Sequence, residues 1–502
     1  MTDLPNELLE QIFCSLGKSD LKDVRLACSV FNSVAVPFLF ENLLVDFNAP
    51  ERRQSARLDF IREIAYGKRD LGRHVRYVKI SPPLPVAIPL KDTESTKNHR
   101  ILSFLRKKSD KPDTVTLLDP LTDTLTAAVS KISAVRIVRW HGSYPVQCPS
   151  GATLATLLNH PYVQQLDLSG YTPPLSTTQL RPLPNLTHIL YAGNHPAPTL
   201  ASVLSNTPNL QGLSIVNMGE TTVTTLNDLF TQETTYPLLS RLHLVNITWA
   251  PQSVSLIRCV PSLREFQHDG PMPDRVWRML YRENIALNSI SLTNVQMSDA
   301  LLDYLSPTTR RAAPQLRVSF YLHEVDLDPV NGSSTSERQS RRFWDVIVPS
   351  HHLTSIQVGS DYPSGWCLDI RSLRVLRACS FLQEMRLRVA WNDIEGDNSI
   401  VSQLFEVLPY DIWPELEVVS LDPVEKLGPI PGSEEYQGTS DPRSPRQARV
   451  LLQACISSLR FDAMEGASMT RLFKVAIYAA GKGPYTLQEC SDSGGCTFWF
   501  NC

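Results

Sequence analysis

One arrangement of apolar and polar positions recurs along much of the chain: an apolar residue, two variable positions, a second apolar residue, one variable position and a third. It runs through Val163/Leu166/Leu168, Leu186/Ile189/Tyr191, Leu210/Leu213/Ile215, Leu239/Leu242/Leu244, Leu263/Phe266/His268 and Leu287/Ile290/Leu292. It returns at Leu353/Ile356/Val358, Leu382/Met385/Leu387 and Leu416/Val419/Leu421. Leu316 opens a strand whose next apolar residues, Val318 and Phe320, stand off this template. The starts lie 23, 24, 29, 24, 24, 29, 37, 29 and 34 residues apart. The last two apolar positions of each triplet are two residues apart, the period of a strand with one buried face. Val75/Val78/Ile80 and Val135/Val138/Trp140 read as irregular first units, and Leu472/Val475/Ile477 as a candidate last one.

The prolines mark the same period. The chain has 37 Pro against 22 Gly in 502 residues, the reverse of average usage, which is roughly 5% Pro and 7% Gly. Pro161, Pro184, Pro208, Pro237, Pro261, Pro314 and Pro414 each stand two residues before the first apolar position of a unit. Proline there fixes φ and ends the preceding helix where the strand must begin. The segments between strands predict helices, among them 197–205, 254–259 and 300–305. A period of about 20–29 residues with this triplet is the signature of leucine-rich repeats. One such unit cannot bury its own apolar face, so stacking is obligatory.

The first forty residues follow a different period. Leu4, Leu8, Leu9, Ile12, Phe13 and Leu16 fall at helical spacing. Pro5 suits a first helical turn and Gly17 a C-terminus. Ser19 or Asp20 suits the start of a second helix carrying Leu21, Val24, Ala27 and Cys28. A third helix runs through Phe31, Val34 and Ala35, and Pro37 is expected to restart the chain before Phe38, Leu39, Phe40 and Leu43. So small a helical piece cannot hide all these side chains, and leftover apolar surface points to docking.

Over residues 4–43 this segment resembles an F-box. The resemblance rests on Leu4-Pro5-Asn6-Glu7-Leu8-Leu9, Ile12-Phe13, Leu16, Asp20-Leu21, Val24, Leu26, Cys28 and Phe31. Ala27 replaces the usual Val, and Ser29-Val30 replace basic residues. The resemblance implies docking on the Skp-type adaptor of a cullin-RING ubiquitin ligase, through Leu4, Pro5, Leu8, Ile12, Leu21, Val24 and Leu26. An F-box followed by leucine-rich repeats is a family architecture common in fungi. Residues 57–64 followed by Gly72-Arg73-His74-Val75-Arg76 resemble the helix-then-strand entry of that family.

The expected fold is therefore α/β: an all-helical N-terminal F-box followed by an irregular leucine-rich-repeat solenoid, a horseshoe. The expected divisions are 1–45 F-box, 46–134 helical linker and irregular first repeat, and 135–425 solenoid. A flexible loop at 426–446 and a C-terminal helix, last repeat and tail at 447–502 complete the chain. Residues 81–98 read as an exposed loop, 327–341 as an insertion and 423–446 as disordered.

Charge and motif chemistry narrow the function classes. Net charge is −3, so no electrostatic footprint for nucleic acid exists. The basic doublets Arg52-Arg53, Lys107-Lys108, Arg310-Arg311 and Arg341-Arg342 read as solvated surface. No apolar run reaches the length of a membrane span, and the acidic N-terminus is not a secretory signal. The ten cysteines form no zinc spacing and read as buried thiols of a reducing compartment, cytoplasmic or nuclear. Cys490, Cys496 and Cys502 sit evenly spaced at the C-terminal end, either as a metal or redox tail or by chance. No phosphate-binding, hydrolase or metalloprotease motif is present. Asp326, Asp328, Asn331 and Gly332 fail the spacing of a calcium loop, and His351-His352 reads as a loop pair. No cofactor or metal is expected.

In a solenoid, outward strand residues line the concave face. Here Arg241, His243, Glu265, Gln267, Glu384, Arg386 and Arg388 are the candidate target-binding residues, with early rungs mostly neutral. Glu384/Arg386/Arg388 forms a charged cluster suited to a carboxylate or phosphate, although concave faces are also polar simply because they are wet. The expected role is a non-catalytic substrate-recognition subunit, bridging the adaptor and its cullin to an unidentified target protein. The alternatives are a repeat scaffold that binds a partner without ubiquitination, or an enzyme whose site is assembled by the late irregular repeats.

Overall fold

The pairs of apolar residues that close each triplet form short strands, because only alternate positions of a strand can reach one side of a sheet. A computed structural model describes residues 4–46, 51–81, 114–142, 151–219, 226–306, 315–347, 352–424 and 474–501, with breaks of nine residues or fewer inside those spans. The chain forms two compact units, residues 1–239 and 240–502, so the stretch 135–425 expected as one solenoid is shared between them.

The first unit begins with three short helices, α1 (Asn6–Cys14), α2 (Lys18–Val24) and α3 (Ser29–Leu39). Six strands follow: β1 (Asn42–Asp46), β2 (Tyr77–Ser81), β3 (Ile137–Gly142), β4 (Gln165–Gly170), β5 (His188–Gly193) and β6 (Gly212–Asn217). Each pairs in parallel with the next in chain order. Parallel pairing requires a crossover, supplied by α4 (Glu51–Tyr66) with a 3-10 turn at Leu71–His74, α5 (Thr114–Lys131), α6 (Gly151–Leu158) and α7 (Ala197–Ser205). A short helix, α8 (Leu226–Leu229), follows β6.

The second unit repeats the scheme. Its parallel strands are β7 (Arg241–Val245), β8 (Glu265–Asp269), β9 (Ser289–Thr293), β10 (Leu316–Leu322), β11 (Leu353–Ser360), β12 (Glu384–Ala390), β13 (Val418–Val424) and β14 (Lys474–Ala479). The crossovers carry α9 (Asp274–Arg282), α10 (Asp299–Leu305), α11 (Gly332–Ile347), α12 (Ile370–Leu376) and α13 (Ile400–Val407). Two antiparallel strands, β15 (Lys482–Asp492) and β16 (Gly495–Asn501), close the sheet. The fold is thus α/β, with parallel strands laid down in chain order.

The core follows the triplets. Val78, Ile80, Val138, Trp140, Leu166 and Leu168 are buried on successive strands, with Val75, Val135 and Val163 beneath the strand entries. Each fully buried aliphatic side chain contributes about 1.5–3 kcal/mol. The second unit adds aromatic groups around this spine. Phe266 stacks on His268 and meets Trp249 and Trp277 edge-on. Phe343 contacts Phe320, Trp344 and Trp366.

The prolines have partners that the spacing did not reveal. Asn185 donates its side-chain N–H to the Pro161 carbonyl at 2.5 Å, and Asn209 donates to the Pro184 carbonyl at 2.7 Å. Each Pro-Asn pair therefore ties its rung to the previous one. At the end of β4, Gly170 has φ +72° and lies against the Gly142 carbonyl, where any Cβ would collide.

Several expectations are corrected. Pro37 lies inside α3 rather than restarting the chain. It sits in the last turn, and Phe40 N–H still reaches Val36 O at 3.1 Å to close that turn. Residues 42–45, assigned to the helical module, belong to β1, which buries Leu43 and Val45. The strand expected at Leu316 is β10; it pairs in parallel with both neighbours although off template, and its register against β11 shifts between Leu316 and Arg317. Gly332-Ser333-Ser334, in the stretch read as an insertion, opens the crossover helix α11, because Phe343, Trp344 and Ile347 give that helix a buried face. Of residues 447–502, those described are strands: the candidate last repeat is β14, and Cys490 and Cys496 lie in β15 and β16, with Ser491 opposite Cys496. Ser81 ends β2, and Pro423 and Val424 end β13, so these residues are strand and not part of the loops expected at 81–98 and 423–446. The rest of those loops, residues 447–473 with the expected C-terminal helix, Cys502, residues 327–331 and His351 lie outside the described residues. Cys14, Cys28, Cys259, Cys367 and Cys379 form no disulfide. Burial pushes the Cys379 thiol up to about 11.

His268 is the polar exception in the spine. It occupies the inward position between Leu244 on β7 and Leu292 on β9 and is fully buried. Burial holds its pKa below the ordinary value, against the opposing effects of the Pro271 carbonyl, Asp269 and the Leu244 carbonyl. The folded chain therefore binds this proton less readily than the unfolded chain. The stability it supports is present above the ordinary imidazole value of about 6.5 and falls as pH drops below it. His268→Leu, which matches both neighbours in its column, is expected to raise the melting temperature more at pH 5.5 than at pH 8. An equal shift at both values in a thermal melt would show that His268 does not carry this dependence.

Candidate functional site

The three N-terminal helices make a small core of their own. Leu9, Phe13, Leu21, Val34 and Ala35 are buried together, with Leu16, Val24 and Phe31 packed against them. Phe13 meets Phe31 edge-on at 5.5 Å. Pro5 stands at the N-cap of α1, and Cys28 caps α3 by accepting the Phe31 N–H on its sulfur.

The other face of α1 has no such cover. Leu4, Leu8 and Ile12, spaced four residues apart just before and within the helix, are 43%, 44% and 48% exposed. Residues at i, i+4 and i+8 share a face, so these three form one apolar stripe. Leu26 and Val30 are exposed as well, at 76% and 37%. The seven residues expected at an adaptor interface therefore divide. Leu4, Pro5, Leu8, Ile12 and Leu26 are exposed, whereas Leu21 is buried in the module's own core and Val24 is half-buried against it. Leu21 belongs to the inward helical period, so its burial is a packing role.

The candidate target-binding residues all stand on outward strand positions of the second unit. Arg241 pairs in register with Glu265, and His243 with Gln267. Burial lowers the His243 pKa, partly offset by Asp269. Glu384, Arg386 and Arg388 alternate outward along β12. Glu384 accepts from Arg386 at 2.6 and 2.7 Å and from the Ser355 hydroxyl at 3.2 Å. The cluster is thus partly self-neutralised, which its sequence does not reveal.

Arg388 is held differently. Gly359 on β11 offers no side chain, and the Arg388 stem lies across it. The guanidinium reaches Tyr321 on β10, covering the ring at 4.8 Å and donating to its hydroxyl at 3.1 Å. With Gln357, Gly359 and Ser420 these arginines line a shallow pocket of about 220 Å³. Neither Tyr321 nor Gly359 was a candidate from sequence. Tyr321 lies on the off-template strand, and a glycine shows its purpose only once the arginine above it is seen.

The two strands before those early rungs carry charge. Lys79 on β2 and Arg139 on β3 also point outward. Arg139 pairs with Asp167 at 3.7 Å and covers the Tyr77 ring at 5.3 Å. His141 hydrogen-bonds Ser169, and its pKa is lowered mainly by burial.

Among the described residues no group of three His, Cys, Asp or Glu side chains is arranged to hold a metal. Nor is any helix there long and apolar enough to cross a membrane. No protein-family model matches the chain, and no curated protein matches it.

The split between exposed and buried residues is testable by stability alone. Leu8→Ala and Ile12→Ala are expected to shift unfolding by no more than about 0.5 kcal/mol. Leu21→Ala is expected to cost ~2–5 kcal/mol through loss of a buried side chain. Chemical denaturation of the three variants checks this, and a loss at Leu8 as large as at Leu21 would contradict the exposed stripe.

Proposed function

We propose that the chain is the substrate-recognition subunit of an SCF-type ubiquitin ligase. In this reading residues 4–43 are an F-box that docks on a Skp-type adaptor and through it a cullin. The strands and their crossovers form an irregular leucine-rich-repeat solenoid that holds a target protein. The chain transfers nothing itself. It raises the local concentration of the target beside a ubiquitin-charged enzyme, which is catalysis by proximity. Such a protein works in the cytoplasm, the nucleus or both.

The observation that carries this reading is the Leu4/Leu8/Ile12 stripe. A helical module that already has a core nevertheless leaves three large aliphatic side chains in water along one face. Covering each would contribute about 1.5–3 kcal/mol, enough for three anchors to dominate a small interface once the costs of association are met. The outward Arg386/Arg388 pocket supports a target that presents a carboxylate or phosphate, since a guanidinium matches either in a two-pronged hydrogen bond.

Purified full-length chain is expected to capture a purified Skp-type adaptor in a pull-down. Leu8→Asp/Ile12→Asp should weaken capture at least a hundredfold with an unchanged thermal melt. Absence of adaptor in the wild-type sample would overturn the ligase reading and leave a binding scaffold.

A further inference from the structure

A second pocket, unrelated to the apolar stripe or to β12, lies in the first unit where the end of α3 meets the strand entries. It encloses about 200 Å³ and is walled by Arg73 and His74 of the 3-10 turn, by Arg76 and Arg136, and by Pro37 and Tyr162. No carboxylate lines it.

The register brings the two central arginines together. Arg136 donates its backbone N–H to the Arg76 carbonyl at 2.8 Å, so the two residues precede β2 and β3 as neighbours on adjacent rungs. Adjacent strands are about 4.8 Å apart, and like charges so placed repel. The compensation is slight. Arg76 has one ion pair, to Glu41 at 4.0 Å between half-exposed side chains, and such a pair is worth little in water. Among the described residues neither Arg73 nor Arg136 has an ion pair.

His74 is positioned by the same cluster. The Arg73 Nε–H donates to His74 Nε2 at 3.1 Å, which leaves the imidazole proton on Nδ1. Burial chiefly, then Arg73 and more weakly Arg76, hold the His74 pKa below its ordinary value, while Asp70 acts in the opposite sense. Three arginines and one histidine thus line a cavity to which no carboxylate contributes.

We propose that this junction pocket binds a phosphate monoester, with Arg76 and Arg136 gripping its terminal oxygens and Arg73 closing the third side. A carboxylate offers two oxygens and one charge, and would satisfy only one guanidinium fork. A phosphate monoester carries close to two charges and three strong acceptor oxygens, which matches three arginines around one small cavity. The openness of the pocket beside the half-exposed Tyr162 admits either a small phosphate compound or a phosphorylated side chain on another chain. The proposal is independent of adaptor docking.

Titration calorimetry of the full-length chain in low salt tests it, with inorganic phosphate, a phosphoserine peptide and the same peptide unphosphorylated as probes. Phosphate and phosphopeptide should bind, the unmodified peptide should not, and added sodium chloride should weaken binding. Arg76→Gln/Arg136→Gln should reduce affinity at least tenfold while leaving the thermal melt in place. Arg73→Gln is the single-site check should the double variant fail to fold. Bound phosphate should also raise the pH at which the His74 ring takes its proton, read from its imidazole NMR signals. Phosphopeptide at least tenfold tighter than phosphate identifies a phosphorylated chain as the source, and equal affinities identify a small anion. No heat from either phosphate probe, or equal binding by the arginine variants, overturns the proposal.

Discussion

Each strand of this protein is too short to be stable alone, and its backbone can be satisfied only by the strand before and the strand after it. The residue preceding a strand shows this most directly. Arg76 N–H and Tyr77 N–H both reach the Glu41 carbonyl, and Arg136 and Ile137 both reach the Arg76 carbonyl. Gln164 and Gln165 repeat the bond to Arg136, and Thr187 and His188 repeat it to Gln164. The same forked bond therefore enters rung after rung and fixes where the next strand starts. With the start fixed, side-chain parity follows, because a slip of one residue would turn every apolar side chain outward. The Pro-Asn bonds of Pro161/Asn185 and Pro184/Asn209 add a second tie at the same end of the strand.

That constraint governs what is left for function. Inward positions are occupied by the spine, so side chains that meet ligands must come from outward positions, from the residues just before the strands, or from elements outside the sheet. The three surfaces of interest here correspond to these three sources. Arg386, Arg388 and Tyr321 stand on outward strand positions, Arg76 and Arg136 precede strands, and Leu4, Leu8 and Ile12 lie at the N-terminal module. The module's stripe can stay exposed because its core is closed by Leu9, Phe13 and Leu21 on the opposite side. Its exposure is not a debt left by incomplete folding.

Much of this is legible in the amino-acid sequence alone. The apolar triplets placed β2 to β9 and β11 to β13, and the prolines marked the strand entries, because one period of two residues inside another of about two dozen is hard to produce otherwise. What escaped had weaker local signals. β1 has only Leu43 and Val45 to alternate and follows a helix after just two residues. β10 carries Leu316, Val318 and Phe320 in strict alternation, so its strand is legible, but its register shift against β11 is not. α11 begins with Gly332-Ser333-Ser334, poor helix residues, and forms because Phe343, Trp344 and Ile347 pack at its other end. Leu21 and Leu8 are identical as residues, and only the module's folded core tells one from the other.

Charge was the least legible property, for a reason built into the architecture. Arg341-Arg342, a doublet visible in the sequence, is dispersed on folding: Arg341 pairs with Glu337 and Arg342 with Asp299 and Asp303. The charges that converge are far apart in the chain and equal in register. Down the column before the strands stand Glu41, Arg76, Arg136, Gln164, Thr187 and Gln211, and only at Arg76 and Arg136 do two cations fall on successive rungs. On β12 the cations met local partners, Glu384 for Arg386 and Tyr321 for Arg388, which orient them and blunt their field. At the strand entries the nearest carboxylate, Glu41, stands on one side only and at 4.0 Å. A repulsion that the register enforces and that one half-exposed carboxylate relieves only in part is the condition under which an external anion gains most by binding.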